Sequence, residues 1–117
     1  MIRGEIMQRE ILFKAKRKDN NKWVYGWIHR GLVGNTWYLI EEYDSKSIEV
    51  IPETICQYIG LADKNGNKIF ENDIVKAKYE ENNGYIKWNS NNASFQIKGI
   101  PSHTLKRADE LEVIGNV

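Results

Sequence analysis

Apolar and polar residues alternate with a period of two along most of this chain, the mark of strands with one buried and one wet face. From Glu10 to Lys16 the alternation sets Ile11, Phe13 and Ala15 against Leu12, Lys14 and Lys16. Trp23 to Arg30 alternates again, with Trp23, Tyr25, Trp27 and His29 on one side and Val24, Gly26 and Ile28 on the other. Both sides carry apolar material, so this strand is expected to be covered on both faces. Trp37 to Glu41 and Ser47 to Ile51 follow as strands, and Pro52 ends the second because it cannot donate a ladder hydrogen bond. Thr54 to Tyr58 reads equally as a short strand or a single helical turn. Further on, Val75, Ala77 and Tyr79 oppose Ile74, Lys76 and Lys78, and the segments Tyr85 to Trp88 and Ala93 to Lys98 continue a meander. Ile86, Trp88, Phe95 and Ile97 join Val75, Ala77 and Tyr79 in an inward-facing set suited to a small twisted barrel. Residues 102–110 are the most tolerant of helix, and Leu111 to Ile114 can return as a last strand.

Polar clusters at Asp19 to Lys22, Asn82 to Gly84 and Asn89 to Asn92 mark turns between these segments. The strongest turn signal is Asn65-Gly66, which predicts a type I′ turn with positive φ at both positions. Gly60, Asn65, Gly66 and Asp73 are the structural turn residues of this central stretch, with Asp73 standing where a loop gives way to a strand. The predicted architecture is all-β: a flexible tail over 1–9, an N-terminal β-subdomain over 10–57 and a small barrel over 58–117.

The 117 residues amount to one domain or two very small ones, and 17 basic against 16 acidic side chains give no general electrostatic reason to bind nucleic acid or an anionic membrane. The charge is nevertheless uneven. Residues 1–30 hold eight basic and three acidic groups, residues 31–57 one and five, and residues 58–117 eight and eight. Cross-strand pairing or an intersubunit contact between opposite charges would each account for this. A single cysteine, Cys56, excludes an internal disulfide, and neither a signal-peptide pattern nor a membrane-length apolar run is visible. A bacterial cytoplasm is the expected location.

Candidate chemistry is sparse. Counting Asp63 as the first position of a calcium loop puts Lys68 where its glycine belongs and Ile74 where its bidentate glutamate belongs, so Asp63 to Asn67 reads as a turn. His29, His103 and Cys56 fall on different predicted elements without ligand spacing, and no nucleophile elbow, phosphate loop or metalloprotease motif is present. Catalytic residues, metal ligands and cofactors are therefore all expected to be none. Glu71 and Asp73, two apart, suit the capping of backbone amides. Two surfaces stand out. Trp23, Tyr25, Trp27 and Trp37 crowd the first half, as core or as a protein interface, where aromatics are enriched. Lys76, Lys78, Lys87 and Lys98 surround Tyr85 on the outward face of the second half and could follow a phosphate backbone, although Glu71, Asp73, Glu80 and Glu81 dilute their field.

The run Gly60-Leu61-x-Asp63-Lys64-Asn65-Gly66-x-x-Ile69-Phe70-Glu71-x-Asp73-Ile74-Val75 resembles the central signature of the YopX family of small bacteriophage and prophage proteins. The resemblance extends to Arg9-Glu10-Ile11-x-Phe13-x-Ala15, Val24-Tyr25-Gly26, Pro52-Glu53-Thr54-x-x-Gln57-Tyr58 and Leu111 to Asn116. It implies a β-rich fold, an SH3-like small barrel over 58–117 and a tendency to assemble, with no established biochemical activity. The family-like opening at Arg9, with purine-rich codons available to Arg3-Gly4-Glu5, predicts a natural start at Met7 instead of Met1. The expected function is a non-enzymatic assembly or interaction module that forms homo-oligomers and meets a phage or host protein. A nucleic-acid accessory role for the lysine face is the second reading.

Overall fold

A computed structural model describes residues 10–100 and 104–116. The expected tail, both candidate start methionines and His103 lie outside the described residues. The chain is all-β, with ten strands paired antiparallel and two short 3-10 turns, at Pro52–Thr54 and Leu105–Glu110, among the described residues. It divides into two compact units, one up to Ile55 and one from Cys56 onward. No helix among the described residues is long and apolar enough to cross a membrane.

The first unit comprises β1 (Phe13–Lys16), β2 (Trp23–Arg30), β3 (Trp37–Glu41) and β4 (Ser47–Val50), laid side by side in the order β4-β3-β2-β1. The sheet curls strongly. Ile51 N–H donates to the Lys16 carbonyl at 2.9 Å and Lys18 N–H to the Glu49 carbonyl at 3.0 Å, so β4 touches the end of β1 without completing a ladder. The curled face buries Ala15, Val24, Leu39, Ile48 and Val50, with Ile28, Trp37 and Ile55 packed against them. Thr54 secures the end of the unit, its hydroxyl donating to the Ile51 carbonyl at 2.7 Å and accepting from Lys16 N–H at 2.8 Å.

Two expectations change here. β1 begins only at Phe13, so Ile11 is exposed and Leu12 buried, the reverse of the alternation expected from Glu10. β2 is not covered on both faces. Its Val24, Gly26 and Ile28 side lies on the core, where a Cβ at Gly26 would stand 1.9 Å from the Ile40 carbonyl oxygen, while Tyr25 and Trp27 remain exposed. The ambiguous stretch from Thr54 to Tyr58 proves to be both elements in succession, a 3-10 turn followed by a strand beginning at Cys56.

The second unit opens with the hairpin β5 (Cys56–Ala62) and β6 (Lys68–Phe70). It continues with β7 (Asp73–Ala77), β8 (Gly84–Asn89), β9 (Ser94–Lys98) and β10 (Leu111–Asn116), which form a sheet in the order β10-β7-β8-β9. This sheet is open, with β9 and β10 as its edges. Ile69, Val75, Ala77, Ile86, Ile100, Ala108 and Leu111 make its core, with Phe95 and Ile97 partly buried beside them. Burying each of Ile69, Val75, Ile86, Ile100 and Leu111 is worth about 1.5–3 kcal/mol, which makes this strip the main stabilising feature of the unit. Two members of the expected inward set fall outside it. β7 stops at Ala77, and Tyr79 stands in the following turn at φ +70° and 91% exposed. Trp88, near the end of β8, is exposed and meets Phe95 edge-on at 4.9 Å.

Candidate functional site

The central hairpin is held by one carboxylate. Gly66 N–H donates to the Asp63 carbonyl at 3.0 Å and Asp63 N–H to the Asn67 carbonyl at 2.8 Å, leaving a three-residue loop of Lys64, Asn65 and Gly66. Gly66 alone has positive φ, at +83°, so this is the three-residue turn ending in a left-handed glycine, not the expected type I′ turn. Gly60, at φ +91°, sits apart from the loop, at a register shift within β5 between Tyr58 and Ala62. The Asp63 side chain is 5% exposed, and its oxygens accept from the N–H groups of Asn65, Asn67 and Val113, each at 2.9 Å. Burial acts to raise the pKa of this carboxyl, but the N–H donors of Val113, Asn67 and Asn65, with the Asn67 side chain, outweigh it and hold the pKa below the usual carboxylate range. Lys64 N–H adds a bond to the Leu111 carbonyl at 2.9 Å, so the turn is tied to β10.

Asp73 plays a related part. It is buried, accepts from Phe70 N–H at 2.8 Å and from the Asn116 amide at 2.8 Å, and so closes the bend between β6 and β7 onto the end of β10. The same Asn116 amide donates to the Glu71 carbonyl at 3.2 Å and lies 3.9 Å from the Cys56 sulfur. Cys56 is buried, where a thiol behaves as a small apolar residue. Among the described residues there is no group of three His, Cys, Asp or Glu side chains that could hold a metal ion.

Antiparallel pairing decides which aromatics of the first unit lie together. Lys14 faces Tyr25 and Lys16 faces Trp23 across β1 and β2, while Trp27 faces Ile40 and His29 faces Tyr38 across β2 and β3. Trp23, Tyr25, Trp27, His29, Tyr38 and Ile40 therefore share the outer face. Tyr25 is 43% and Trp27 45% exposed, and His29 stacks on Tyr38 at 5.4 Å. Trp37 does not belong with them. It pairs with Arg30, packs against the core on the opposite face, and its Nε1 donates to Asn35 at 3.2 Å. The outer face instead takes Tyr38 and Ile40 from β3, a placement that their parity in that strand signals. The ammonium groups of Lys14 and Lys16 lie 4.5 and 5.3 Å from the Trp23 ring, near enough for cation–π attraction. A recess of about 260 Å³ beside Trp23 and Tyr25 is bordered by Glu41, Glu42, Tyr43 and Asp44.

In the second unit, pairing places Tyr85 opposite Lys98 and Ile74, and Lys87 opposite Gln96. Lys76, Tyr85, Lys87 and Lys98 are all exposed on the outer face of this sheet. Lys78 is separate from them, in the turn after β7 with its ammonium over the Tyr79 ring at 5.1 Å.

Residues 12–117 match the family described as YopX protein. The chain belongs to the YopX family. No curated protein matches it. The stretch that carries the YopX resemblance is thus structural in this chain: Gly60 makes the β5 irregularity, Asp63 ties the turn to β10, and Asp73 closes the next bend.

Proposed function

We propose that this YopX-family chain is a non-enzymatic assembly module of phage or prophage origin that associates with a second copy of itself through the outer face of β2 and β3. The observation that carries this is the exposed row of Tyr25 and Trp27, flanked by Trp23, Tyr38 and Ile40, on a sheet whose other face already forms the core. Large rings left in water on a small β-unit suit a protein interface, since each combines wide apolar area with little conformational entropy to lose. Charge favours a particular pairing. One margin of this aromatic row, on the β1 side, carries the half-buried Lys16, and the other, on the β3 side, carries Glu42, whose N–H bonds the Tyr25 carbonyl at 3.2 Å, and Asp44. A two-fold axis running parallel to β2 lays the basic margin of one copy over the acidic margin of the other, whereas an axis across the strands would superpose like charges. The same reading takes the second unit as an SH3-like small barrel, with the meander β7-β8-β9, a 3-10 turn and the return of β10 to the far edge of β7 in its favour. It also places the work of the protein in the host cytoplasm, with a phage or host protein as a further partner.

The test is a charge exchange read by sedimentation. Lys16→Glu and Glu42→Lys should each weaken self-association, and the double variant should regain most of it. If both single variants sediment as the wild type does, the proposed pairing is wrong.

A further inference from the structure

We propose that the outer face of the β7-β8-β9 sheet binds single-stranded nucleic acid, a function separate from the self-association surface. Three exposed lysines surround one exposed ring. Tyr85, 42% exposed, lies at the centre of the sheet with Lys98 directly across on β9, Lys87 two residues further along β8 and Lys76 on β7. Cross-strand neighbours stand about 5 Å apart and next-but-one residues about 7 Å apart, so the three ammonium groups encircle the ring at side-chain reach. Lys76, Lys87 and Lys98 form no ion pair, and Tyr85 no ring contact, among the described residues. Both kinds of group are thus available to a ligand.

The acidic residues expected to dilute this field lie elsewhere, Glu71 in the bend before β7. Asp73 is buried on the core side of β7, and Glu80 and Glu81 stand in the turn beyond it. Glu112, opposite Lys76 on β10, lies on the same side, and it pairs with Lys64 at 3.7 Å. What remains is a cationic sheet face with a flat aromatic platform. A phosphate backbone satisfies the lysines while an unpaired base stacks on the ring, and a duplex has no unpaired base to offer.

The test is fluorescence anisotropy of a fluorescein-labelled oligothymidylate at low salt. Wild type should bind, and Lys76→Gln, Lys87→Gln and Lys98→Gln combined should weaken binding about tenfold or more. Tyr85→Leu, which keeps an apolar side chain but removes the stacking plane, should weaken it about tenfold. The pair Lys18→Gln and Lys22→Gln in the first unit should change nothing. Three lysines at about 0.7 counterions each give a slope near −2 for log affinity against log salt. All sites are exposed, so unchanged urea midpoints confirm that the variants are folded. Failure of the wild type to bind at low salt overturns the proposal, as does equal affinity for the triple variant. A Tyr85→Leu variant that binds as wild type does, with polyphosphate competing as well as oligothymidylate, overturns it too, because the face would then attract any polyanion.

Discussion

Replacing Asp63 by Ala removes the acceptor for three backbone N–H groups at once. The donors of Asn65 and Asn67 lie in an exposed turn where water can take over, so each should lose only about 1 kcal/mol. Val113 N–H belongs to β10, where the loss approaches the full desolvation penalty of about 1–3 kcal/mol. The sum is about 3–5 kcal/mol, a large fraction of the 5–15 kcal/mol that holds a typical domain. Equilibrium urea unfolding checks this, and the midpoint should fall while the slope stays the same. Asp63→Asn should lose less, because one carbonyl oxygen remains, but its amide would direct a donor at another donor. Acid adds a second signature. The folded pKa of Asp63 lies below its unfolded value, so its stabilisation is complete above about pH 4 and disappears as pH falls through the folded pKa, where the unfolded chain binds the extra proton. Wild type should therefore lose stability in acid more steeply than Asp63→Asn. An unchanged midpoint for Asp63→Ala, or parallel acid profiles for wild type and Asp63→Asn, would refute the role given to this carboxylate.

Other expectations follow from the same geometry. Gly66→Val should lower stability by about 1–3 kcal/mol by urea midpoint, because a β-branched residue is strained at φ +83°. Gly26→Ala should do greater damage than an ordinary surface change, since its Cβ would meet the Ile40 carbonyl oxygen at 1.9 Å, and loss of native near-ultraviolet circular dichroism would report it. Leu39→Ala, in the centre of the first core, should cost about 2–5 kcal/mol by the same urea measurement.

Strand positions were largely legible because alternation is a local property. Trp23 to Arg30 and Trp37 to Glu41 end where their patterns do. Which face of β2 points outward was not legible, because both carry apolar residues and the choice rests on the close approach of Gly26 to β3. The grouping of Trp37 with Trp23, Tyr25 and Trp27 failed for a related reason: composition shows crowding, but only cross-strand register shows that Trp37 pairs with Arg30 and lies on the other side. Asn65-Gly66 marked the right turn but not its type, since positive φ falls on Gly66 alone. Asp63 is legible as a turn residue, because an aspartate two places before Asn65 is a recognisable signal for one. Its bond to Val113, fifty positions along, has no local trace.

The central claim is self-association through the outer face of β2 and β3, and light scattering on the purified chain tests it most directly. Wild type should have a mass at least twice 13.7 kDa that survives moderate salt, because apolar burial is not screened, and Tyr25→Ser with Trp27→Ser should reduce it to one chain while the fold persists. A wild-type mass of a single chain at every concentration tried would contradict it.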